Sequence, residues 1–350
     1  MVDVEFPIQA RALGERLGAE VVGDAGAEVR ALAPLPGCTT GTLSYLSNPR
    51  YAPVLSSLEG GVVITERRFV RAGTPLTFLV VEDPQAVFAG IVGQQVPEIP
   101  FEGVSPLASI DPSVKLGDKV SIAPFVFIGR DSCIGAGSRL YPHVYVGAGV
   151  TLGERCDIHP GVVLHSGVWL GDRVRVLAGS VLGSDGFGLF RAKGADAQRE
   201  MPHVGTLVVE DGVRIGANCT IDRGTLGETR ICRNAMLDDQ VHVGHNCTIG
   251  PGSIVCAQVG LSGSVILEED SVIAGQAGIA EGVRVGRGAV LKAQSGAGID
   301  LEPGKTYFGS PALPSETAFR ILRAMRRLPR LLDRLRACSP DRAGDGEGIA

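Results

Sequence analysis

The stretch LDDQVHVGHNCTIG, residues 237–250, places two histidines, His242 and His245, just after two adjacent aspartates, Asp238 and Asp239. An imidazole held at one ring nitrogen by a carboxylate keeps a single tautomer, and its other nitrogen becomes a better base. Such a pair suits taking a proton from an amine that attacks a thioester. A histidine on a solvated surface would give the same letters, so the surrounding repeat has to decide. The eight cysteines offer no competing chemistry: they contain no C-x-x-C pair and no Cys/His spacing of zinc type.

The repeat is a hexad. From Val104 to Leu182 every sixth residue is Ile, Leu or Val, fourteen positions without a miss. The frame returns at Val209, Ile215 and Ile221, slips by four residues, and runs again from Ile231 to Leu291 for eleven more. Four residues after each anchor stands a small or narrow residue, such as Ser132, Ser138, Cys156, Cys219, Ala235 or Cys247. One large and one small inward residue per short strand is what a narrow coil accommodates at interior packing density. Three hexads close one coil, so residues eighteen apart stack, and the architecture is a parallel β-helix. Gly frequently follows the anchor (Gly117, Gly135, Gly153, Gly216, Gly244), which we read as a corner requiring unusual backbone angles. Two segments leave the repeat: the 27-residue step from Leu182 to Val209, containing GSDGFG, and DRGTLGETR, Asp222 to Arg230. Long departures from a regular solenoid commonly carry function.

In this frame His245 lies two past the anchor Val243 and points outward, with Cys247 in the inward small slot. Asp238, one past Leu237, is expected to hydrogen-bond it from the preceding side of the coil. Gly263, eighteen residues on, should stack against His245, allow close approach of a substrate, and offer its N–H to an oxyanion.

The flanks differ in texture. Residues 1–100 alternate helix and strand: a helix from Gln9 to Leu17 stopped at Gly18, strands in GVVITE and LTFLVVED, and a helix opened by Asp83-Pro84 and running to Gln94. QQVPEIPFEG is the linker. Residues 101–312 form the β-helix, 313–338 a helical segment capped at Pro314-Ser315, and 339–350 a disordered tail. In the helical segment Ile321, Met325, Leu328, Leu332 and Leu335 form a coiled-coil seam that Pro329 must kink or break. Seven arginines between Arg320 and Arg336 face one acid, Asp333.

The runs GSDGFG, IGANCTIDRGTLGET, LDDQVHVGHN and TYFGSPA, with LSYLSNPRY near the N-terminus, resemble the UDP-3-O-(3-hydroxyacyl)glucosamine N-acyltransferase family of lipid A biosynthesis. The resemblance implies a left-handed parallel β-helix, against the usual right-handed crossover. It implies a catalytic base at His245, an orienting carboxylate at Asp238 and an oxyanion N–H at Gly263. It further implies a uridine site in residues 1–100 formed by Tyr45, Asn48 and Tyr51. The implied partners are acyl carrier protein, UDP-3-O-acylglucosamine and two further copies of the chain in a homotrimer, with no metal or organic cofactor. Relatives carry a second histidine where this chain has Gly282, preceded by Glu281.

Composition narrows the remaining classes. The formal net charge of −5 provides no basic field for nucleic acid. The N-terminus lacks a basic and an apolar region of signal-peptide type, and no eighteen-residue apolar run spans a membrane, so a cytoplasmic protein is expected. Three alternatives remain: O-acylation of UDP-N-acetylglucosamine by a coil of the same kind, a γ-type carbonic anhydrase, and a structural scaffold. Residues 1–100 weigh against the first, the close spacing of His242 and His245 against the second, and the two departures from the repeat against the third.

Overall fold

A computed structural model describes residues 4–95, 101–191, 193 and 196–338. The expected tail, 339–350, and residues 96–100 of the linker lie outside them. The chain divides into two compact units, residues 1–100 and 101–350.

The first unit is a five-stranded sheet in the order Glu20–Val22, Thr77–Val80, Val62–Thr65, Thr42–Leu46, Ala31–Leu32. Only its Glu20–Val22 edge is antiparallel. Helix α1, Ala10–Leu17, ends at Gly18, whose φ of 64° gives the left-handed cap expected of it. Helix α2, Pro84–Gln94, begins where the Asp83 carboxylate accepts the Ala86 N–H at 2.9 Å. Leu13, Leu43, Val62, Ile64, Leu79 and Ile91 close one core of this unit.

The second unit is a three-sided parallel β-helix of the left-handed class. Side 1 stacks ten short strands beginning at Ser109–Ile110, side 2 nine beginning at Lys115–Leu116, and side 3 ten beginning at Ser121–Ile122, to which Leu313–Pro314 adds an antiparallel edge. Register advances by eighteen residues wherever the repeat is unbroken, as in Phe127↔Tyr145↔Val163. The anchors from Ile122 to Leu291 are buried in one continuous core. The small slot has a second property: most of its serines and cysteines donate to a corner carbonyl of the next coil. Ser132 Oγ reaches Gly147 O at 2.9 Å, Ser180 Oγ reaches Gly216 O at 2.7 Å, and Cys247 Sγ reaches Ser262 O at 3.1 Å. A polar atom thus fits a dry interior because its one proton is used. Burial pushes the Cys156 thiol up to about 11 and the Cys247 thiol up to about 12, so both stay protonated.

The structure corrects the role assigned to glycine. Apart from Gly183, where the longer excursion begins, the glycines that follow an anchor are not left-handed. The left-handed residue is three past the anchor and is often polar, as in Asn218, Gln240, Asn246 and Gln258. What requires glycine after the anchor is the next coil. A β-carbon on Gly135 would stand 2.3 Å from the Gly153 carbonyl, and one on Gly216 would stand 2.4 Å from Asp238 C. At the corner between sides 3 and 1, Gln240, Gln258, Gln276 and Gln294 pass one amide hydrogen bond from coil to coil at 2.9, 2.7 and 3.0 Å.

Helix α3, Ser315–Cys338, runs unbroken through Pro329, contrary to a break there. Proline removes a single donor, and the helix surface around it is exposed, so water can serve the freed carbonyl. Ser315 opens the helix but does not cap it, because its buried hydroxyl has no partner. Phe319 fastens the first turns, stacked on Phe308 at 5.3 Å and with Lys292 Nζ over its ring at 4.7 Å. The seam residues Ile321, Met325, Leu328, Leu332 and Leu335 are all exposed.

Two glycine substitutions test this account by thermal unfolding. Gly135→Ala should lose more than about 2 kcal/mol, because backbone has to move. Gly90→Ala, on α2 with nothing within 4 Å, should gain up to about 1 kcal/mol.

Candidate active site

Both departures from the repeat are enlargements of one corner. Leu182 and Ile221 lie on side 1, and the chain next rejoins the coil on side 2 at Val209 and Ile231. His245 occupies that same corner one coil later, between Val243 on side 1 and Ile249 on side 2, and Gly263 occupies it in the coil after. Three successive corners therefore build one wall. Asparagine ties the parts together: Asn246 Oδ1 accepts the Thr225 N–H at 3.0 Å, and its Nδ2 donates to Leu226 O at 2.7 Å.

That pair of bonds settles which end of the Asn246 amide faces His245. The oxygen lies 3.1 Å from His245 Nδ1, with Thr225 Oγ1 at 3.4 Å. Nδ1 therefore carries the proton and donates, leaving Nε2 with its lone pair. The ring lies over Gly263: a β-carbon there would stand 2.7 Å from both Cε1 and Nε2. The Gly263 N–H makes no hydrogen bond among the described residues. Base and amide donor face one cleft of about 790 Å³, whose lining includes Phe187, Asp222, His242 and Glu281.

Asp238 is not part of this wall, which corrects its expected pairing with His245. It is exposed at the corner between sides 3 and 1, a full side of the coil away, and its carboxylate has no hydrogen bond or ion pair among the described residues. Seven residues of sequence span one face of the triangle, so the two side chains leave from different edges. Asn246, the residue after the histidine, holds the imidazole instead. Gly282 lies at a left-handed corner position with φ 73°, its N–H on Gly263 O at 3.1 Å. The place of a second imidazole is thus backbone, with the Glu281 carboxylate beside it.

Two residues escaped sequence reasoning, one lining the cleft and one buried beside it. Asp222, the first residue of the shorter excursion, is only 5 % exposed. Its Oδ1 accepts the Ser184 hydroxyl at 3.2 Å, and its Oδ2 lies 3.8 Å from His242 Nε2. Burial raises the Asp222 pKa, while His242, Ser184, His203 and His245 oppose the rise. His203 comes from the longer excursion. Its Nδ1 donates to Met201 O at 2.8 Å, its buried Nε2 has no partner, and its ring meets that of His245 edge-on at 5.2 Å. Gly186 closes over the group: a β-carbon on it would lie 3.0 Å from His203 Nε2 and 3.2 Å from both Asp222 Oδ2 and His245 Cβ. The only available signal was an acid at the point where the frame fails. Among the described residues no group of His, Cys, Asp and Glu is arranged to hold a metal ion.

The first unit has its own cavity, of about 640 Å³, and Tyr45, Asn48 and Tyr51 all line it. Tyr45 stacks on Phe88 at 4.7 Å, and Tyr51 is 52 % exposed. Asn48 Oδ1 accepts the Arg50 N–H at 3.0 Å, and its amide nitrogen has no partner among the described residues. An aromatic wall with a free amide donor suits a flat polar ring.

The sequence profile of UDP-3-O-(3-hydroxymyristoyl) glucosamine N-acyltransferase, LpxD, matches residues 27–93. The bacterial transferase hexapeptide profile matches 132–166 and 228–263, and the hexapeptide repeat of succinyl-transferase matches 206–237. The chain is 43 % identical to a UDP-3-O-acylglucosamine N-acyltransferase of Syntrophotalea carbinolica, over 91 % of this chain and 92 % of that one. It is 39 % identical to the one of Methylacidiphilum infernorum, over 95 % of each. The solved Arabidopsis UDP-N-acetylglucosamine acyltransferase is 22 % identical and covers 70 % of this chain and 86 % of its own, with a TM-score of 0.54, a likeness of fold.

The geometry predicts the outcome of one small change. Gly263→Ala forces the His245 ring aside, so acyl-transfer turnover should fall on the order of 100-fold. The melting temperature should hold, since the clash is with a side chain rather than the coil.

Proposed function

The chain belongs to the UDP-3-O-acylglucosamine N-acyltransferase family, and from that premise we propose the reaction it performs. It moves a 3-hydroxyacyl chain from acyl carrier protein to the 2-amine of UDP-3-O-acylglucosamine, a step of lipid A biosynthesis. The observation that carries this reading is the contact of His245 Nδ1 with Asn246 Oδ1, which leaves Nε2 beside Gly263, whose N–H is unpaired among the described residues.

The steps balance as follows. The acceptor amine attacks the thioester carbonyl while His245 Nε2 takes its proton. The Gly263 N–H receives the oxyanion that develops on the carbonyl oxygen. The C–N bond forms, the C–S bond breaks, and the proton held by His245 passes to the departing sulfur. Amide and free thiol are the products. Asn246 fixes the ring in the role first expected of Asp238.

The nucleotide is assigned to the cavity of the first unit, with the uracil against Tyr45 and Tyr51 and its edge on Asn48. The carrier protein, which is acidic, is assigned to α3, where Arg320, Arg323, Arg326, Arg327, Arg330 and Arg334 are exposed. The chain works as a homotrimer in the cytoplasm, its clefts lying between neighbouring β-helices. The flat sides of the coil and the exposed apolar seam of α3 support that assembly. No helix among the described residues is long and apolar enough to cross a membrane.

An assay with purified protein and 3-hydroxyacyl carrier protein tests the reading. Amide should form with UDP-3-O-acylglucosamine and not with UDP-N-acetylglucosamine. His245→Ala should slow it by at least about 100-fold. Tyr51→Ala should raise KM for the nucleotide acceptor by up to about tenfold with kcat kept. Product from the second acceptor alone, or full activity in His245→Ala, would sink it.

A further inference from the structure

The reaction as described leaves one buried acid of the cleft without a part. Asp222 stands one coil before Gly244, paired with Ser184, and is enclosed by Ser184, Gly186 and His203 of the longer excursion. We propose that Asp222 is a positioning residue for acyl transfer: it stabilises, from behind His242 and His245, the proton that His245 takes from the acceptor amine. The inference rests on the reading of His245 as the base.

As the amine attacks, His245 passes from neutral to cationic, and a fixed negative charge close by favours the charged form. How much it favours it depends on water, which screens a charge at the surface and does so poorly for one enclosed by protein. Asp238 and Glu281 are exposed, whereas Asp222 is 5 % exposed. The longer excursion supplies the enclosure, with Gly186 packed where a β-carbon would touch Asp222, His203 and His245 together. The same contact explains why that residue is glycine.

The other groups around Asp222 do not cancel its charge. His242 faces it at 3.8 Å and has its own Nδ1 on Thr220 Oγ1 at 2.8 Å. His203 faces it from the excursion and already uses Nδ1 on Met201 O. Arg223, the next residue, engages Gly183 O and Ser166 O at 2.8 Å each and lies 3.8 Å from Asp185. Cys247, inside the coil, keeps its proton. The remaining charge of the cleft is Glu281, two coils from His245 at the same corner.

The test is a double-mutant cycle on the full-length protein in the acyl-transfer assay. Asp222→Asn keeps the shape of the side chain and removes its charge. It should lower kcat on the order of 30-fold, leave both KM values within about twofold, and move the acid limb of the rate profile about one pH unit lower. The limb moves down because an imidazolium without its anion releases its proton more easily. In a His245→Ala background the same substitution should cost less than about threefold, since its route of action is gone. An equal loss in both backgrounds, or an unmoved limb, overturns the inference and leaves His245 as the base. Full activity in His245→Ala alone overturns the base itself and is seen without any Asp222 variant. If Asp222→Asn does not fold, Ser184→Ala reads the same pair by removing the hydroxyl on Oδ1. A loss of about two- to threefold confined to the His245 background supports the inference, and any other pattern overturns it.

Discussion

Successive coils of the β-helix lie so close that the backbone after each anchor has no room for a side chain. This contact between main chains, a β-carbon's width from collision at Gly135, Gly153 and Gly216, constrains everything built on it. It sets the register at eighteen residues, and the register stacks anchor on anchor and small residue on small residue. It also brings each small inward serine or cysteine within reach of a carbonyl in the next coil, so the interior tolerates polar atoms without water. A solenoid held this way couples each coil mainly to its neighbours. Chain can be added at a corner as long as the sides resume in phase.

The cleft uses that freedom at a single edge. Two consecutive corners between sides 1 and 2 are enlarged, and the third bears His245. The longer excursion brings Gly186 and His203 over the wall. The shorter one brings Asp222 to its base and Thr225 to the imidazole. Asn246 joins coil and excursion because it has a donor and an acceptor, and a carboxylate in its place could not donate to Leu226 O.

The hexad made the coil legible in the sequence, since a strict period over twenty-eight anchors has one physical reading. The two excursions were legible as failures of that period, and they pointed to His245. What remained hidden was three-dimensional in a way the period does not encode. Asp238 looks adjacent to His245 by count, yet a whole side of the triangle lies between them and leaves them on different edges. Asp222 looks like the first residue of a loop, yet the loop above buries it. His203 lies within a segment that has no period, where spacing carries no information about direction. The glycines were placed correctly in the frame and explained wrongly. Their neighbours in space, eighteen or more residues away, demand the missing side chain, and the residue three past most anchors makes the left-handed turn. Tyr45, Asn48 and Tyr51 do share one cavity, which three positions in nine residues on a strand and the turn after it can achieve locally.

The edge that carries His245 is also a graduated scale. His245, Gly263 and Glu281 mark equal intervals along it, each one strand spacing, about 4.8 Å. Any molecule lying along this edge meets the protein in whole steps of that length, and a change of residue can open or close the path only at a graduation. Finer adjustment than one step has to come from the excursions, whose backbone is free of the period. The coil thus provides a coarse measure and the loops at its corner the fine one, as on a vernier.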